Sequence, residues 1–356
     1  MAMSNSQTIF LTGFPGFIAS RLVARLAQEP FNFLLLVQPQ FLERASRELE
    51  AIFGKANRSL DDFRILQGDI TQVDLGLAKE DLSLARNTTN VVFHLAAYYD
   101  LAVPREPALR VNVLGTQNVN NFTRSVINLE HYHYISTCYV AGQRTGLIFE
   151  TELEHDAGFR NHYEETKYLA EMEVEKVKSE LPITIHRPAV VCGDSRTGET
   201  AKYDGIYYLI HYLLRWPSGL SIFNIGNHKV TLNLVPIDFV VDALAVLATD
   251  KHAIGKTLQI ADSCPLTTHE LFNQIARCIE GRGSIVTIPA RLVEFGLMLP
   301  PSPAITHLPH SAVPYFFLQQ TYDTFESTQL LAKHEVHCPS FPTYVKAIVE
   351  FAKRNQ

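Results

Sequence analysis

The sequence predicts an α/β fold: a doubly wound parallel sheet with a smaller, mainly helical C-terminal lobe. Three observations lead there. A short β-rich run at Thr8–Thr12 is followed by a glycine-bearing turn and a helical segment. Further short apolar runs then alternate with helical stretches as far as about residue 190, as βαβ units require. Beyond residue 262 the pattern changes to amphipathic helix and to a stretch rich in Leu, Pro, Phe and Met.

The composition is consistent with a folded chain of that size. The 356 residues are 46% hydrophobic and 19% charged, a globular balance. That length suffices for one large domain or two lobes. A net charge of −6 without a basic block argues against a nucleic-acid partner. The five cysteines, Cys138, Cys192, Cys264, Cys278 and Cys338, are odd in number and scattered, which suits a reducing compartment. Met1–Gln7 is polar, and no run of roughly 18 uncharged apolar residues occurs. A cytoplasmic chain without a membrane span is the expectation.

In order, Thr8–Thr12 (TIFLT) reads as the first strand, and Gly13-Phe14-Pro15-Gly16-Phe17-Ile18-Ala19 as its turn, with a helix over Ser20–Gln28. Gly13 permits a tight turn, Gly16 lets a pyrophosphate approach the backbone, and Ala19 packs closely in place of a third glycine. The helix N-terminus offers free N–H groups and a positive dipole end to phosphate. Strand, glycine turn and helix together favour dinucleotide binding over a purely structural turn, with Thr12 to Ile18 as the cradle. Phe33–Val37 is a buried-type second strand. After it an acid usually reads the ribose hydroxyl of NAD, or an arginine the 2′-phosphate of NADP. Gln38 is neither. Arg44 and Arg47, one to two helical turns on, reach toward a 2′-phosphate or else form a solvated face; the reading leans to NADPH over NADH.

Phe63–Leu66 is a third strand leading into Gly68-Asp69-Ile70, where Asp69 either accepts from the adenine amino group or caps the turn. Asn90–Leu95 is a fourth strand, and the small Ala96 and Ala97 at its carboxyl end let a cofactor lie close. A helix is expected to start at Asn112, itself a structural hydrogen-bonding residue. His133–Ser136 is the fifth strand, ending in Ser136-Thr137-Cys138, and Ile183–Pro188 the sixth.

Between those last two strands lies Asn161-His162-Tyr163-Glu164-Glu165-Thr166-Lys167, the start of a helix running to about Lys178. Tyr163 and Lys167 are four apart and share one face. An ammonium beside a phenol lowers the phenol's pKa, which would make Tyr163 a proton donor and acceptor near neutral pH. Alone, the Tyr-x-x-x-Lys spacing is also that of an ordinary surface pair.

Taken together, TGFPGFIA at 12–19, GDI at 68–70, HLAA at 94–97, NVLGT at 112–116, ISTCYVAG at 135–142, YEETK at 163–167 and HRPAVV at 186–191 resemble the extended short-chain dehydrogenase/reductase family. The resemblance covers roughly the first 250 residues and implies a Rossmann-type sheet. It implies Tyr163 as general acid/base with Lys167 as its partner. The family's active-site Ser/Thr lies five residues before a strand-ending glycine; here Gly142 selects Thr137 and leaves Ser136 as a backbone-positioning neighbour. It also implies cofactor contacts from Leu95, Ala96 and Ala97, from Asp69 and Ile70, and from Pro188, Val190 and Val191. Within the family, GDSRTG at 193–198, KYDGIYY at 202–208 and LVPIDFVVDA at 234–243 are most similar to fatty acyl-CoA reductases and thioester reductase domains. The implied activity is NAD(P)H-dependent hydride transfer to an acyl thioester or its aldehyde, the acyl group arriving on free CoA or a separate acyl carrier protein. The alternative is an epimerase or dehydrogenase acting on a nucleotide sugar or a sterol-like alcohol. Members often form homodimers.

The expected division is a dinucleotide-binding domain at 6–200, to which 230–262 returns, and a substrate-binding lobe at 201–229 and 263–356. Asp238 reads as a helix N-cap and Asp242 as structural; Thr257–Ile260 reads as a last strand, and His269–Ile279 as an amphipathic helix. From Ile288 to Phe317, Leu292, Phe295, Leu297, Met298 and Leu299 sit on a helix-like piece ended by Pro300-Pro301. They form either a self-buried helical core or an apolar lid or membrane-touching surface. His307 and His310 lack an accompanying acid or cysteine cluster, so no metal is expected.

Overall fold

The structure, a computed structural model, describes residues 6–215, 222–300, 302 and 308–355. β1 (Thr8–Thr12) is buried along its whole length between two parallel neighbours. Its alternation serves two cores at once: Ile9 and Leu11 face one layer of helices and Phe10 the other. α1 (Phe17–Leu26), β2 (Asn32–Val37), α2 (Leu42–Ala56), β3 (Phe63–Gln67), α3 (Lys79–Thr88) and β4 (Thr89–His94) complete the first half. In the second half α4 (Arg105–Ala108) passes through a π-helical turn at Leu109–Leu114 into α5 (Gly115–Arg124). β5 (His131–Ile135), β6 (Gly146–Ile148), α6 (His162–Glu175) and β7 (Ile183–Pro188) follow. After them come β8 (Val190–Cys192), α7 (Ile206–Arg215), β9 (Phe223–Asn224), β10 (Leu234–Pro236), α8 (Ile237–Leu247) and β11 (Thr257–Ile260). The chain ends with α9 (Thr268–Glu280), β12 (Val286–Thr287), α10 (Ala290–Met298), β13 (Gln320–Tyr322), α11 (Phe325–Ala332) and α12 (Phe341–Arg354).

Seven strands form one parallel sheet in the order β11-β7-β5-β4-β1-β2-β3. The order reverses beside β1, so a crevice opens at the carboxyl ends of β1 and β4, where open parallel sheets bind ligands. α1 and α8 pack together over one face. A separate core joins α7, α9 and α12. Among the described residues, three short parallel ladders form outside this sheet, β8 with β10, β9 with β12 and β6 with β13. Among the described residues, no helix is long and apolar enough to cross a membrane.

Several boundaries differ from expectation for local reasons. α1 begins at Phe17 rather than Ser20, because Gly13 at φ 96° and the Gly16 N–H to Gly13 carbonyl bond of 2.8 Å close the turn early. The helix expected from Asn112 begins at Arg105, and the π-turn keeps the buried Asn112 side chain inside it. α6 stops at Glu175, short of Lys178. Asp238 is not the N-cap of α8; Pro236 precedes that helix, and the Asp238 carboxylate accepts from the Ser195 amide at 2.8 Å and from the Ser195 hydroxyl. Asp242 is structural, pairing with Arg25 at 3.2 Å. α9 starts one residue before His269, behind a capping box made by Thr267 and Glu270.

Of the two readings of the 288–317 stretch, self-burial does not hold for α10. Only Val293 is buried in that helix, while Leu292 is 63% exposed, Phe295 69% and Met298 52%. His307 and Pro301 lie outside the described residues. His310 is exposed, with its Nε2 at 3.2 Å from the Leu299 carbonyl.

Candidate active site

A cavity of about 470 Å³ occupies the crevice. On one side stands the glycine turn. A Cβ on Gly13 would sit 2.7 Å from the Ala96 nitrogen, and one on Gly16 would sit 2.6 Å from the Gly13 oxygen. Neither position accepts a side chain, and the backbone lies open to the cavity. α1 starts there with no side-chain cap and no acid in its first turn, so its N–H groups and positive dipole end meet the cavity. That is the donor set a pyrophosphate needs, and the cradle fits a dinucleotide.

The lining includes Thr12 to Ala19, Gln38, Arg44, Ile70, Leu95, Ala96, Ala97, Ser136, Thr137, Tyr163, Lys167, Pro188, Val190 and Val191. Two expected contacts lie elsewhere. Arg47 is 73% exposed and its nearest charge is Glu43 at 3.7 Å, on the outer face of α2. Asp69 is not among the lining residues, and its Oδ1 accepts the Thr71 amide at 2.8 Å, as a turn cap does.

Asn161 caps α6 by accepting the Glu164 amide at 3.0 Å, which starts the helix one residue before Tyr163. Tyr163 and Lys167 then fall on the buried face, and both line the cavity. Thr137, at the exit of β5, lines the same cavity as the Tyr163 phenol. The Thr137 hydroxyl accepts the Tyr139 amide at 3.2 Å. Ser136 points the other way and donates to Glu171, whose carboxylate pairs with Arg187 Nε at 2.9 Å. That buried group locks β5, α6 and β7 together behind the cavity. Asn112 accepts the Tyr98 amide at 2.7 Å and donates to Thr166 at 2.9 Å, tying the exit of β4 to α6.

The electrostatics correct one expectation. Lys167 does not lower the Tyr163 phenol. Burial raises it above its ordinary range, the nearby Thr137 hydroxyl pulls it partly back, and the carboxylates of Glu164 and Asp204 push it further up. Lys167 is itself pushed down to about 7 by burial, against the pull of Glu171. Its ammonium donates to the Ile135 carbonyl at 2.8 Å and to Tyr134 at 3.0 Å.

Several lining residues escaped the sequence reading. Tyr99 meets the Tyr163 ring edge-on at a centroid distance of 5.0 Å. Lys202 places its ammonium 4.1 Å from the centre of the Tyr99 ring. Tyr315, from the apolar stretch, donates to the buried Glu164 carboxylate and accepts from Asn161 at 2.8 Å. The Arg160 guanidinium lies 4.3 Å from the centre of the Tyr315 ring and pairs with Glu164 at 2.7 Å. Only the alternation of Tyr, Lys and Asp in KYDGIYY hinted at any of these.

This fold and cradle define a dinucleotide-binding domain of the extended short-chain dehydrogenase/reductase class. The profile of an NAD-binding family described as "Male sterility protein" matches residues 11–244, and the chain belongs to that family. It is 25% identical over 278 residues to "Fatty acyl-CoA reductase wat" of Drosophila melanogaster, covering 68% of this chain and 54% of that one. It is 23% identical over 344 residues to "Fatty acyl-CoA reductase 1" of Arabidopsis thaliana, covering 76% of this chain and 70% of that one. The chain thus spans about half the length of the fly relative. Among solved structures, the terminal R domain of the myxalamid PKS-NRPS biosynthetic pathway superposes with a TM-score of 0.82 at 22% identity, covering 98% of this chain and 91% of that one.

Proposed function

We propose that the chain is an NAD(P)H-dependent reductase of a hydrophobic acyl thioester, carried on CoA or on an acyl carrier protein, or of the derived aldehyde. The observation that carries this reading is convergence. Thr137, Tyr163 and Lys167 line the same cavity as the glycine turn, and aromatic and aliphatic side chains, Tyr99, Tyr139, Leu232 and Phe316, line it with them.

The bound nicotinamide supplies the hydride. The chain's own residues do the rest. The Thr137 and Tyr163 hydroxyls hold the carbonyl oxygen, and the Tyr163 phenol gives up its proton as negative charge develops there. Burial keeps that phenol protonated at neutral pH, so it stands ready as an acid. The Lys167 ammonium binds the nicotinamide ribose. The aromatic wall excludes water from the developing charge. Arg44, which lines the cavity as Gln38 does, supports NADPH as the preferred form by offering a cation to its 2′-phosphate. The likeness to proteins named fatty acyl-CoA reductases supports the acyl substrate.

The test is nicotinamide oxidation by purified protein offered NADPH or NADH with a series of acyl-CoAs and long-chain aldehydes. Turnover with an acyl-CoA is expected, faster with NADPH. Tyr163→Phe should lower turnover about 10²–10⁴-fold while leaving dinucleotide binding intact. Turnover with aldehydes alone would remove thioester chemistry from the reading, and full activity of Tyr163→Phe would remove the acid.

A further inference from the structure

Lys167 has two fixed partners on the protein, and one of them packs against a chain of buried hydrogen bonds. Lysine only donates, so Tyr134 accepts at 3.0 Å. The Tyr134 ring packs against the His94 ring at a centroid distance of 5.7 Å. Thr116, a partner of that ring, spends its own proton on the Asn112 carbonyl at 2.6 Å. For the same reason the His94 Nε2, at 3.1 Å from Thr116, carries a proton and donates it. His94 Nδ1 is then an acceptor, and Thr12 donates to it at 2.8 Å. Thr12 in turn accepts the Ala96 amide at 3.2 Å. Every proton has one direction, and every member from Thr12 to Lys167 is at most 3% exposed.

Such a chain conducts nothing. It ends on a backbone amide at one side and a backbone carbonyl at the other, and neither exchanges a proton during turnover. What it does is hold. The Ile135 carbonyl and Tyr134 take two of the three ammonium N–H groups and leave one for the cavity that Lys167 lines. The other end of the chain holds Thr12 and Ala96, which flank the glycine turn.

We propose that Tyr134 is a positioning residue for Lys167, aiming its remaining N–H at the dinucleotide and coupling that aim to the glycine-bearing turn through the His94 ring, which Thr116 and Thr12 hold. The inference rests on the reading of Lys167 as a dinucleotide contact. Tyr132 supplies an internal control. It lies two residues away on β5, is equally buried, and donates to Asn120 at 2.9 Å with no link to Lys167.

The experiment compares the full chain with Tyr134→Phe, Tyr132→Phe and Lys167→Ala. NADPH binding is titrated directly, and KM and kcat are measured separately. Tyr134→Phe should weaken NADPH binding about tenfold and raise its KM by more than it lowers kcat. Tyr132→Phe should lower the melting temperature and leave NADPH affinity at the wild-type value. A second pair reads the same chain should Tyr134→Phe fail to fold: Thr116→Val should weaken NADPH binding, and Thr116→Ser, which keeps the hydroxyl, should restore it. Equal NADPH affinity in Tyr134→Phe and Tyr132→Phe, with Lys167→Ala weakened, would overturn the coupling and leave the proposed function standing. Wild-type binding and turnover in Lys167→Ala would overturn the premise and the site reading together.

Discussion

Lys167 is a cation held almost entirely away from water, and its titration is accessible to measurement. The folded ammonium releases its proton at about 7, whereas an unfolded lysine does so near 10.5. Between those values the unfolded chain binds one more proton. Lys167 therefore makes stability rise with pH across that window, by up to about 1.4 kcal/mol per pH unit. Dinucleotide affinity should move the opposite way, falling as pH rises through about 7 and the ribose loses its charged donor. Titrating NADPH binding against pH, in the wild type and in Lys167→Arg, checks this; an arginine stays charged and should flatten the profile. At this scale the sequence showed the pair of side chains and not their partners. A spacing of four places Tyr163 and Lys167 on one helical face whatever the tertiary structure. Tyr134 lies 33 residues from Lys167, and Tyr315 lies 151 from Glu164, so no local pattern announces either contact. The direction of the Tyr163 shift was misread for the same reason, since burial outweighs a lysine that the spacing alone had placed beside the phenol.

On β5 and β7 three buried histidines form a second network, away from the cavity. His133 donates through Nε2 to the Ala248 carbonyl at 3.1 Å, so its Nδ1 accepts from His186 Nε2 at 3.0 Å. His131 meets Thr184 at 2.7 Å, and Thr184 spends its proton on the Ala253 carbonyl. This arrangement exists only with neutral rings, because a second proton on His133 would set N–H against N–H. Burial accordingly pushes His186 down to about 3 and His131 to about 4, and His133 well below its ordinary value. Unfolded histidines take up protons below 6.5 while these do not, so acid favours the unfolded chain. Stability should fall as pH drops from 6.5 toward 4, with each ring contributing up to about 1.4 kcal/mol per pH unit. Urea unfolding at a series of pH values checks it, and a flat profile would mean that water reaches the rings. The fifth strand was read as His133–Ser136, two residues late at its start, since it begins at His131 and ends at Ile135. That both its faces are dry was not legible, since a strand with helices on each side is distinguished only by what packs there. β1, β2 and β7 were read to within one residue, because apolar runs that short leave little freedom in register. Helix starts were less legible, because loop closure at Gly13 and the π-turn at Asn112 depend on contacts across the sheet.

Over the whole molecule, one tight approach joins the loop after β8 to α12. Gly198 adopts φ 75°, and a Cβ there would lie 2.1 Å from the Ala347 carbonyl of α12. Gly198→Ala should destabilise the protein by roughly 1–3 kcal/mol or more, since backbone and not a pliable side chain must yield. Thermal unfolding would reveal it, and an unchanged melting temperature would show that α12 docks loosely. The glycine was visible in GDSRTG, but its reason lies some 150 residues further along the chain. The doubly wound order was legible from alternation alone, whereas the residues facing the aromatic side of the cavity were not. Tyr315 joins distant parts of the chain in another way. It forms part of the cavity wall, and its hydroxyl is also a partner of the Glu164 carboxylate, whose charge acts on Tyr163. Molecular shape and proton affinity are thereby written into one side chain. A lineage that remodels this wall to admit a different guest must, in the same mutational step, retune the acid, so selection for new selectivity here is also selection on pH optimum.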